Sequence, residues 1–291
     1  MQNLANSGTI RRLLEEAGFS FKKSLGQNFL INPSVCPRMA EAACSALPAG
    51  QPRGVLEIGP GIGVLTVELA RRADRVVAVE LDQRLRPVLD KTLADFPNAS
   101  VVFADVMKLD VAALIEERFA GMEVSVCANL PYYITSPILM MLLESRLPIR
   151  SITVMVQKEA AVRLCARPGT REAGAVTAAV SYYAQPEILF PVSAGSFLPA
   201  PKVDSAVIQL HIRKTPPVQV EDEAAFFALI RAAFAQRRKT LVNSVSAALP
   251  ADKASLLQAM EAAGLPPDIR AERLSLEDFA RLAGCMQKNK V

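Results

Sequence analysis

The chain has 291 residues, of which 51% are hydrophobic, so it can build one large core and a smaller second domain, and a disordered or collagen-like chain is excluded. Its net charge of +4 permits a polyanionic partner without predicting one, so the position of basic residues matters more than their sum. Five scattered cysteines, without a C-x-x-C pair and with a single histidine, argue against a disulfide framework and a zinc site.

From residue 54 onward, short apolar runs rich in β-branched residues alternate with amphipathic stretches. This alternation predicts an α/β fold with a parallel sheet covered by helices on both faces. The predicted strands span 54–58, 75–80, 100–104, 123–128 and 151–157, and the predicted helices between them span 64–72, 83–96, 111–119 and 135–144.

The later part of the chain changes character. Two strands, 188–192 and 206–212, follow a helix that ends near Tyr183; with no helix between them, they fit an antiparallel hairpin at a sheet edge. Thr215-Pro216-Pro217 is typical of a linker, and Ser275 with Asp278 forms a capping box. We therefore expect one domain over residues 1–213 and a helical domain over 214–291, with helices at 226–249, 253–263 and 276–285.

A pocket for a nucleoside-containing cofactor is predicted at the strand ends. The first strand runs into a G-x-G-x-G turn that begins at Gly59, a pattern that a tight strand-to-helix connection explains equally well. Glu80 ends the second strand and Asp105 follows the third, and either acid alone could be a helix N-cap. Because ligands of such sheets bind at the carboxyl ends of the strands, the three features together favour a nucleoside site, where an acid can bind ribose hydroxyls.

Asn129-Leu130-Pro131-Tyr132 follows the fourth strand, at the same predicted edge. An adenine amine is a poor nucleophile, and two acceptors directed at its protons would localise the nitrogen lone pair. The Asn129 side chain offers one acceptor, and the Leu130 carbonyl offers another, since Pro131 restricts the backbone before it. Tyr132 could stack on the base. As an isolated tetrapeptide, the motif would be better explained as a turn with a packed tyrosine.

In this context the motif resembles that of the adenine-N6 methyltransferases, and the longer string NLPYYITSPI resembles their ribosomal RNA branch. The segments KSLGQNFL at 23–30 and FLPAPKVDS at 197–205 are similar to two further motifs of that branch. QRRKTLVNS at 236–244 is similar to the pattern of the small-subunit dimethyladenosine transferases. The resemblance extends from about residue 20 to the carboxyl terminus.

The resemblance implies a Rossmann-like class I methyltransferase sheet with S-adenosylmethionine as the cofactor. It also implies dimethylation of N6 in two adjacent adenosines of a hairpin loop near the 3′ end of small-subunit ribosomal RNA, linked to subunit assembly. Ala104 stands where many family members have glycine, which affects the turn more than the chemistry. The implied cofactor-binding residues are Asn28, Leu30, Gly59, Glu80, Asp105 and Asn129, with Gln27 beside them.

Phe197 has two alternative roles, whereas one histidine and three tyrosines are each expected to have a structural role. Phe197 could stack on a flipped adenine opposite Tyr132, or it could anchor its loop in the core. His211 is expected to be structural, and Tyr133, Tyr182 and Tyr183 are expected to pack in the interior.

Basic pairs lie at 11–12 and 22–23, and each is typical of a solvated face. A third cluster, Arg237-Arg238-Lys239, is predicted to lie in a helix beside family-matched residues, which favours contact with RNA phosphates. We expect a monomeric, metal-free protein that binds small-subunit RNA within a pre-30S-type particle. The sequence shows no signal-peptide core and no apolar run of about 18 residues, so we expect a cytoplasmic protein with reduced thiols and no membrane contact.

Three alternatives remain at this point. A large-subunit adenine methyltransferase of the antibiotic-resistance type would share the pocket and the Asn-x-Pro-Tyr motif, although QRRKTLVNS argues against it. A dinucleotide-dependent oxidoreductase would share the glycine-rich turn. A non-catalytic assembly factor could keep the fold and bind subunits without chemistry.

Overall fold

The computed structural model describes residues 29–288, together with Gly8, Thr9 and Arg12. The predicted cofactor contact of Asn28, its neighbour Gln27 and the basic pair Lys22-Lys23 lie outside the described residues. The described chain forms two compact units, a sheet unit and a helical unit. The sheet unit contains the described residues up to Ala161 and the segment Pro186–Ile212, and the helical unit contains Val162–Gln185 and the chain from Arg213 onward.

The sheet unit is built on a mixed seven-stranded sheet in the order β4-β3-β2-β5-β6-β9-β7. Strands β2 to β6 pair with one another in parallel. Strand β9 pairs antiparallel with β6, from Ser151 opposite His211 to Gln157 opposite Ser205. A separate two-stranded antiparallel sheet joins β1 and β8. The strands are β1 Phe29–Leu30, β2 Arg53–Ile58, β3 Arg75–Glu80, β4 Ala99–Phe103, β5 Glu123–Asn129, β6 Ser151–Gln157, β7 Ala184–Val192, β8 Phe197–Leu198 and β9 Ser205–Ile212.

Helices follow most strands of the sheet, as the alternating pattern predicts. Parallel strands need such crossover connections because the end of one strand and the start of the next lie on opposite sides of the sheet. The α-helices between residues 29 and 185 are α1 Val35–Ser45, α2 Val64–Ala70, α3 Arg86–Thr92, α4 Val111–Arg118, α5 Thr135–Glu144, α6 Lys158–Leu164 and α7 Ala175–Tyr183. The α/β fold class is therefore confirmed, and the strands at 75–80 and 151–157 and the helix at 135–144 have the predicted bounds.

Helix α1 is absent from the sequence prediction and is central to the core of the sheet unit. Its buried face contains Met39, Ala40 and Ala43, all with 0% exposure. The side-chain amide of Gln209, on β9, donates to the Ala42 carbonyl at 2.9 Å and to the Thr153 hydroxyl at 2.9 Å. A buried hydrogen bond of this kind fixes the helix against the sheet.

The helical unit includes a segment that the sequence pattern assigned to the first domain. Tyr182 and Tyr183, at the end of α7, pack on Phe226 and Phe227 with ring centroids 5.1 to 5.5 Å apart. Both tyrosine hydroxyls donate to the Glu223 carboxylate, at 3.3 and 2.7 Å. Aromatic packing with satisfied hydroxyl groups explains why residues 162–185 belong to this unit. Its later helices are α8 Glu223–Phe234, α9 Leu241–Ala248, α10 Lys253–Ala262 and α11 Leu276–Lys288.

The prediction of a single helix over 226–249 is wrong. The first helix, α8, ends at Phe234, and the next, α9, begins at Leu241, with a turn between them. Residues 236–240 contain no apolar side chain that could anchor a helix in the core. The buried Ser244 hydroxyl donates to the Ala232 carbonyl at 2.7 Å and accepts from the Gln236 amide at 3.1 Å. Ser244 thereby ties the end of α8 to α9 across the turn.

The capping box at the start of α11 is confirmed. The Asp278 carboxylate accepts from the Ser275 amide at 2.8 Å, and the Ser275 hydroxyl oxygen accepts from the Asp278 amide at 3.1 Å. These reciprocal bonds satisfy amide groups that the first turn of a helix leaves without partners.

Candidate active site

One cleft in the sheet unit, with a cavity volume of about 160 Å³, lies at the carboxyl ends of β2, β3, β4 and β5. This is the edge at which open α/β sheets bind ligands. Every predicted cofactor or catalytic residue in the described part of this unit lines the cleft: Leu30, Gly59, Glu80, Asp105, Asn129, Leu130, Pro131, Tyr132 and Phe197.

The glycine-rich turn forms one wall. Gly59, Gly61 and Gly63 have φ values of 70°, 58° and 90°, a left-handed conformation that other residues rarely adopt. A Cβ atom placed on Gly59 would meet no heavy atom within 4 Å, so its backbone borders open space. The turn therefore offers backbone groups that a ligand can approach closely.

Glu80 is fixed at the end of β3 by backbone donors. One carboxylate oxygen accepts from the Gly61 amide at 3.1 Å, and the other accepts from the Asp82 amide at 2.8 Å. Burial raises the pKa of Glu80, and these backbone hydrogen bonds oppose the shift. Each oxygen retains a free lone pair after one such bond, so the carboxylate can also accept from a ribose diol.

Asp105 follows β4 and lies partly exposed in the cleft. One of its carboxylate oxygens accepts from the Met107 amide at 3.0 Å, and the other lies 3.8 Å from the Lys108 ammonium nitrogen. The preceding Ala104 donates its amide to the Glu80 carbonyl at 2.9 Å. This hydrogen bond holds the turn after β4 in place.

The motif Asn129-Leu130-Pro131-Tyr132 forms a braced turn between β5 and α5. The Pro131 carbonyl accepts from the Ile134 amide at 3.1 Å and from the Thr135 hydroxyl at 3.2 Å. Asn129 is partly exposed in the cleft, while the Leu130 side chain is 2% exposed. Within the described part of the chain, no hydrogen bond engages the Asn129 side chain or the Leu130 carbonyl, so both acceptors are available to a substrate.

The two tyrosines after Pro131 differ in exposure. The half-buried Tyr132 has its hydroxyl 2.6 Å from that of the buried Ser205, and burial raises the pKa of Tyr132 while this hydrogen bond opposes the shift. The ring of Tyr132 is thus held in place. Tyr133 is 60% exposed, so the prediction that it packs in the interior is wrong. A tight turn cannot direct two successive side chains into the same core.

Phe197 packs in the core as a loop anchor and also borders the cleft, the two positions that its alternative roles require. It is 3% exposed and belongs to the main hydrophobic cluster of the sheet unit, where β8 places it opposite Leu30 of β1. It also lines the cleft. The ring therefore forms a fixed part of the cavity wall.

Two buried ionisable residues that line the cleft were not predicted from the sequence as site residues. Glu57 of β2 is 1% exposed, and Cys36 of α1 is 3% exposed. The available signal for Glu57 is an acid within the otherwise apolar strand GVLEI. Cys36 carried no signal, because α1 was not predicted.

The remaining candidates lie outside the cleft. His211 places Nε2 at 2.8 Å from the Glu187 carboxylate, as a partly exposed pair on the sheet unit. All five cysteines lie in the described part of the chain, where none forms a disulfide, and three of them are buried. In the part of the chain that the structure describes, no cluster of His, Cys, Asp or Glu could hold a metal, and no helix is long and apolar enough to cross a membrane.

The basic cluster belongs to the helical unit. Arg237, Arg238 and Lys239 are exposed and lie in the turn between α8 and α9, which corrects their predicted place in a helix. The Arg237 guanidinium donates to the carbonyls of Arg171 and Ala173 at 3.1 and 3.3 Å. Arg237 therefore also connects the turn to the loop before α7.

Comparisons with known proteins agree with this geometry. Residues 18–288 match the family model described as ribosomal RNA adenine dimethylase. A relative from Geobacillus sp. (strain WCH70), called ribosomal RNA small subunit methyltransferase A, is 48% identical over 290 residues and 98% of each chain. A relative of the same name from Bacillus mycoides (strain KBAB4) is 48% identical over 295 residues and the whole of both chains.

Two solved structures extend the comparison. A dimethyladenosine transferase from Plasmodium falciparum aligns with a TM-score of 0.73 at 25% identity, covering 90% of this chain and 98% of that one. The 23S rRNA methyltransferase ErmE aligns with a TM-score of 0.65 at 28% identity, covering 89% and 100%. The family match excludes the oxidoreductase alternative, and the chain belongs to the ribosomal RNA adenine dimethylases, enzymes that use S-adenosylmethionine to methylate adenine in ribosomal RNA.

Proposed function

We propose that this protein dimethylates N6 of two adjacent adenosines in a hairpin loop near the 3′ end of small-subunit ribosomal RNA, during subunit assembly. The observation that carries the proposal is the pair of unengaged acceptors at Asn129 and Leu130, in the cleft that also contains Glu80 and Asp105. The names of the 48% identical relatives support the small subunit as the target.

The cleft residues fit S-adenosylmethionine, which supplies a methyl group on a positively charged sulfur. The open backbone at Gly59 admits close approach of a ligand, and Leu30 contributes apolar wall. We assign the ribose hydroxyls to Glu80 and the adenine amine to Asp105, since each carboxylate retains acceptor capacity. Asn129 borders both the cofactor and the target base.

The chain's own groups position the target adenine. The Asn129 oxygen and the Leu130 carbonyl accept from the two N6 protons and localise the nitrogen lone pair toward the methyl carbon. Tyr132 presents its ring to the flipped base, and Phe197 closes the cavity wall. No histidine base is required, because the proton on nitrogen becomes acidic once the nitrogen is alkylated. Catalysis by this site is then chiefly alignment of the reacting atoms.

The exposed Tyr133 ring suits a second base of the target strand. Sequence-specific RNA recognition uses unpaired bases that stack on aromatic side chains. Tyr133 follows directly on Tyr132 at the rim of the cleft. A base next to the flipped adenine could therefore stack on Tyr133 while the first base occupies the cavity.

We further propose that the helical unit binds the RNA of a pre-30S-type particle, with Arg238 and Lys239 contacting phosphates and Arg237 shaping the turn. The protein would act as a monomer in the cytoplasm.

The test is transfer of labelled methyl groups from S-adenosylmethionine to undermethylated small subunits, followed by nucleoside analysis. We expect the label in N6,N6-dimethyladenosine. Label only on large subunits would favour the antibiotic-resistance type of enzyme, and cofactor binding without any transfer would favour a non-catalytic assembly factor.

A further inference from the structure

A buried carboxyl group that lines the cleft has no hydrogen-bond partner in the part of the chain that the structure describes. Glu57 is 1% exposed and lines the cleft. Among the described residues, neither of its carboxyl oxygens has a hydrogen-bond partner. Buried polar groups are almost always hydrogen-bonded, since they lose water on folding. An exception at a ligand site therefore indicates a group that the ligand completes.

Among the described residues, the surroundings of Glu57 contribute no positive charge. On the sheet, Glu57 lies opposite Ala78 of β3 and Cys127 of β5. Thr66 faces it from α2 and is 0% exposed, and its hydroxyl likewise has no hydrogen bond of normal geometry. The ionisable groups that face Glu57 are the buried thiols of Cys36 and Cys127 and the carboxyl group of Glu80.

In this environment the neutral acid is the stable form. Burial raises the pKa of Glu57 to about 8, a shift that the Thr66 hydroxyl opposes and the Glu80 charge reinforces. At pH 7 the protonated form then outweighs the ionised form by about ten to one. Glu80 differs because two backbone amides support its charge. Among the described residues, Glu80 and Asp105 thus have backbone donors in the cleft, and Glu57 has none.

We propose that Glu57 stores a proton in the cofactor-free protein and releases it to solvent when S-adenosylmethionine binds. The inference rests on the assignment of this cleft to the cofactor. In the step, the O–H bond of the Glu57 carboxyl group breaks, the proton passes to a buffer base, and the carboxylate remains beside the cationic ligand. The cofactor carries a sulfonium and an ammonium group, and a nearby positive charge favours the ionised form of a carboxyl group.

The sign of the pH effect follows from this linkage. Below about pH 8 the proton must leave before the ion pair forms, so raising the pH favours binding. Above that pH the carboxyl group is already ionised, and the effect ends. We expect the affinity of the wild-type protein to rise by up to about tenfold per pH unit between pH 6 and 8, relative to a variant without the acid.

The first test is titration calorimetry of S-adenosylmethionine binding, in buffers of different ionisation enthalpy, for the wild type and Glu57→Gln. We expect the wild type to release close to one proton more per bound cofactor than the variant. The amino group of the cofactor itself titrates at about pH 7.7 to 8.0. The difference in released protons between the wild type and the variant is therefore the quantity that tests the proposal. Equal proton counts and parallel pH profiles would overturn the proposal.

A second test does not require Glu57→Gln to fold. In the infrared difference spectrum of the wild type at pH 7, the carbonyl band of a protonated carboxyl group should disappear on cofactor addition. The same loss in Glu80→Gln, at saturating cofactor, would assign the band to Glu57. A band that persists with bound cofactor would overturn the inference.

The assignment of the cleft to the cofactor and the role of Glu57 are tested by different outcomes. If the folded wild-type protein bound no S-adenosylmethionine at any pH, the assignment of the cleft itself would be wrong. If it bound the cofactor without releasing a proton from Glu57, only the role of Glu57 would be wrong.

Discussion

Asn129 is the residue on which the proposed chemistry depends most directly. It ends β5 in the cleft, and its side-chain oxygen is available to one N6 proton. Removing one preorganised hydrogen-bonding group from an active site typically lowers turnover by about 10² to 10³-fold. We expect Asn129→Ala to show a loss of this size in methyl transfer, with only moderate weakening of cofactor binding.

The matched comparison is Asn129→Asp, which keeps the acceptor oxygen but replaces the amide donor with a second acceptor oxygen and adds a negative charge. Single-turnover transfer and cofactor titration should be measured for both variants. Asp should retain more activity than Ala. Wild-type turnover in Asn129→Ala would remove this residue from the mechanism.

Tyr133 permits a prediction about the substrate alone. Its ring is 60% exposed at the rim, and stacking of one base on an aromatic ring contributes about 1 to 3 kcal/mol. Tyr133→Ala should therefore raise KM for undermethylated subunits by about tenfold or more and leave cofactor affinity unchanged, whereas Tyr133→Phe should behave like the wild type.

The control for Tyr133 is Ile188→Ala, which removes a 47% exposed apolar side chain from β7, outside the cleft lining. Steady-state kinetics with varied subunit concentration separates the variants. If Tyr133→Ala and Ile188→Ala gave the same KM, Tyr133 would have no part in substrate recognition.

At the scale of elements, the sequence predicts regular strands better than irregular connections. The strands Arg75–Glu80 and Ser151–Gln157 contain short apolar runs rich in β-branched residues, which are typical of buried parallel strands. Helix α1, Val35–Ser45, was missed because it precedes the alternating pattern that begins at residue 54, and small residues such as Ala40 and Ala43 form much of its buried face.

The turn between α8 and α9 shows what local pattern cannot reveal. Residues 236–240 interrupt the apolar pattern, but the sequence does not show that the buried Ser244 hydroxyl braces the turn by donating to the Ala232 carbonyl. Leaving buried hydrogen-bonding groups unsatisfied costs about 1 to 3 kcal/mol. We expect Ser244→Ala to lower the free energy of unfolding by about this amount.

Urea denaturation measures the effect of Ser244→Ala, and Ser246→Ala, a less buried serine of the same helix, is the matched control. The control should unfold at nearly the wild-type midpoint. Coincident midpoints for all three proteins would show that the Ser244 hydroxyl does not stabilise the turn.

At the scale of the whole molecule, the site was more predictable than the division into units. Strand ends meet at one edge of a parallel sheet, so the sequence order of Gly59, Glu80, Asp105 and Asn129 already indicated a shared cleft. The segment Val162–Gln185 joins the helical unit through aromatic contacts far apart in sequence, which no local pattern encodes.

The distribution of charge supports a final prediction about binding to the subunit. The chain has 33 basic and 29 acidic residues, so RNA attraction must come from local clusters. Each lost phosphate contact lowers the slope of log affinity against log salt by about 0.7 to 0.9. Because Arg237 donates to backbone carbonyls, we expect Arg238→Ala and Lys239→Ala to flatten the slope, and Arg237→Ala chiefly to destabilise the turn.

Filter binding of small subunits across a range of salt concentrations tests this, with Lys91→Ala, an exposed lysine of α3 outside the cleft lining, as the control of equal charge. Lys91→Ala should leave the slope unchanged. A lysine that contacts no phosphate displaces no counterion from the RNA, so its removal does not alter counterion release. If Arg238→Ala, Lys239→Ala and Lys91→Ala all kept the wild-type slope, the exposed turn would not contact phosphates. The RNA would then have to be held by other residues of the chain.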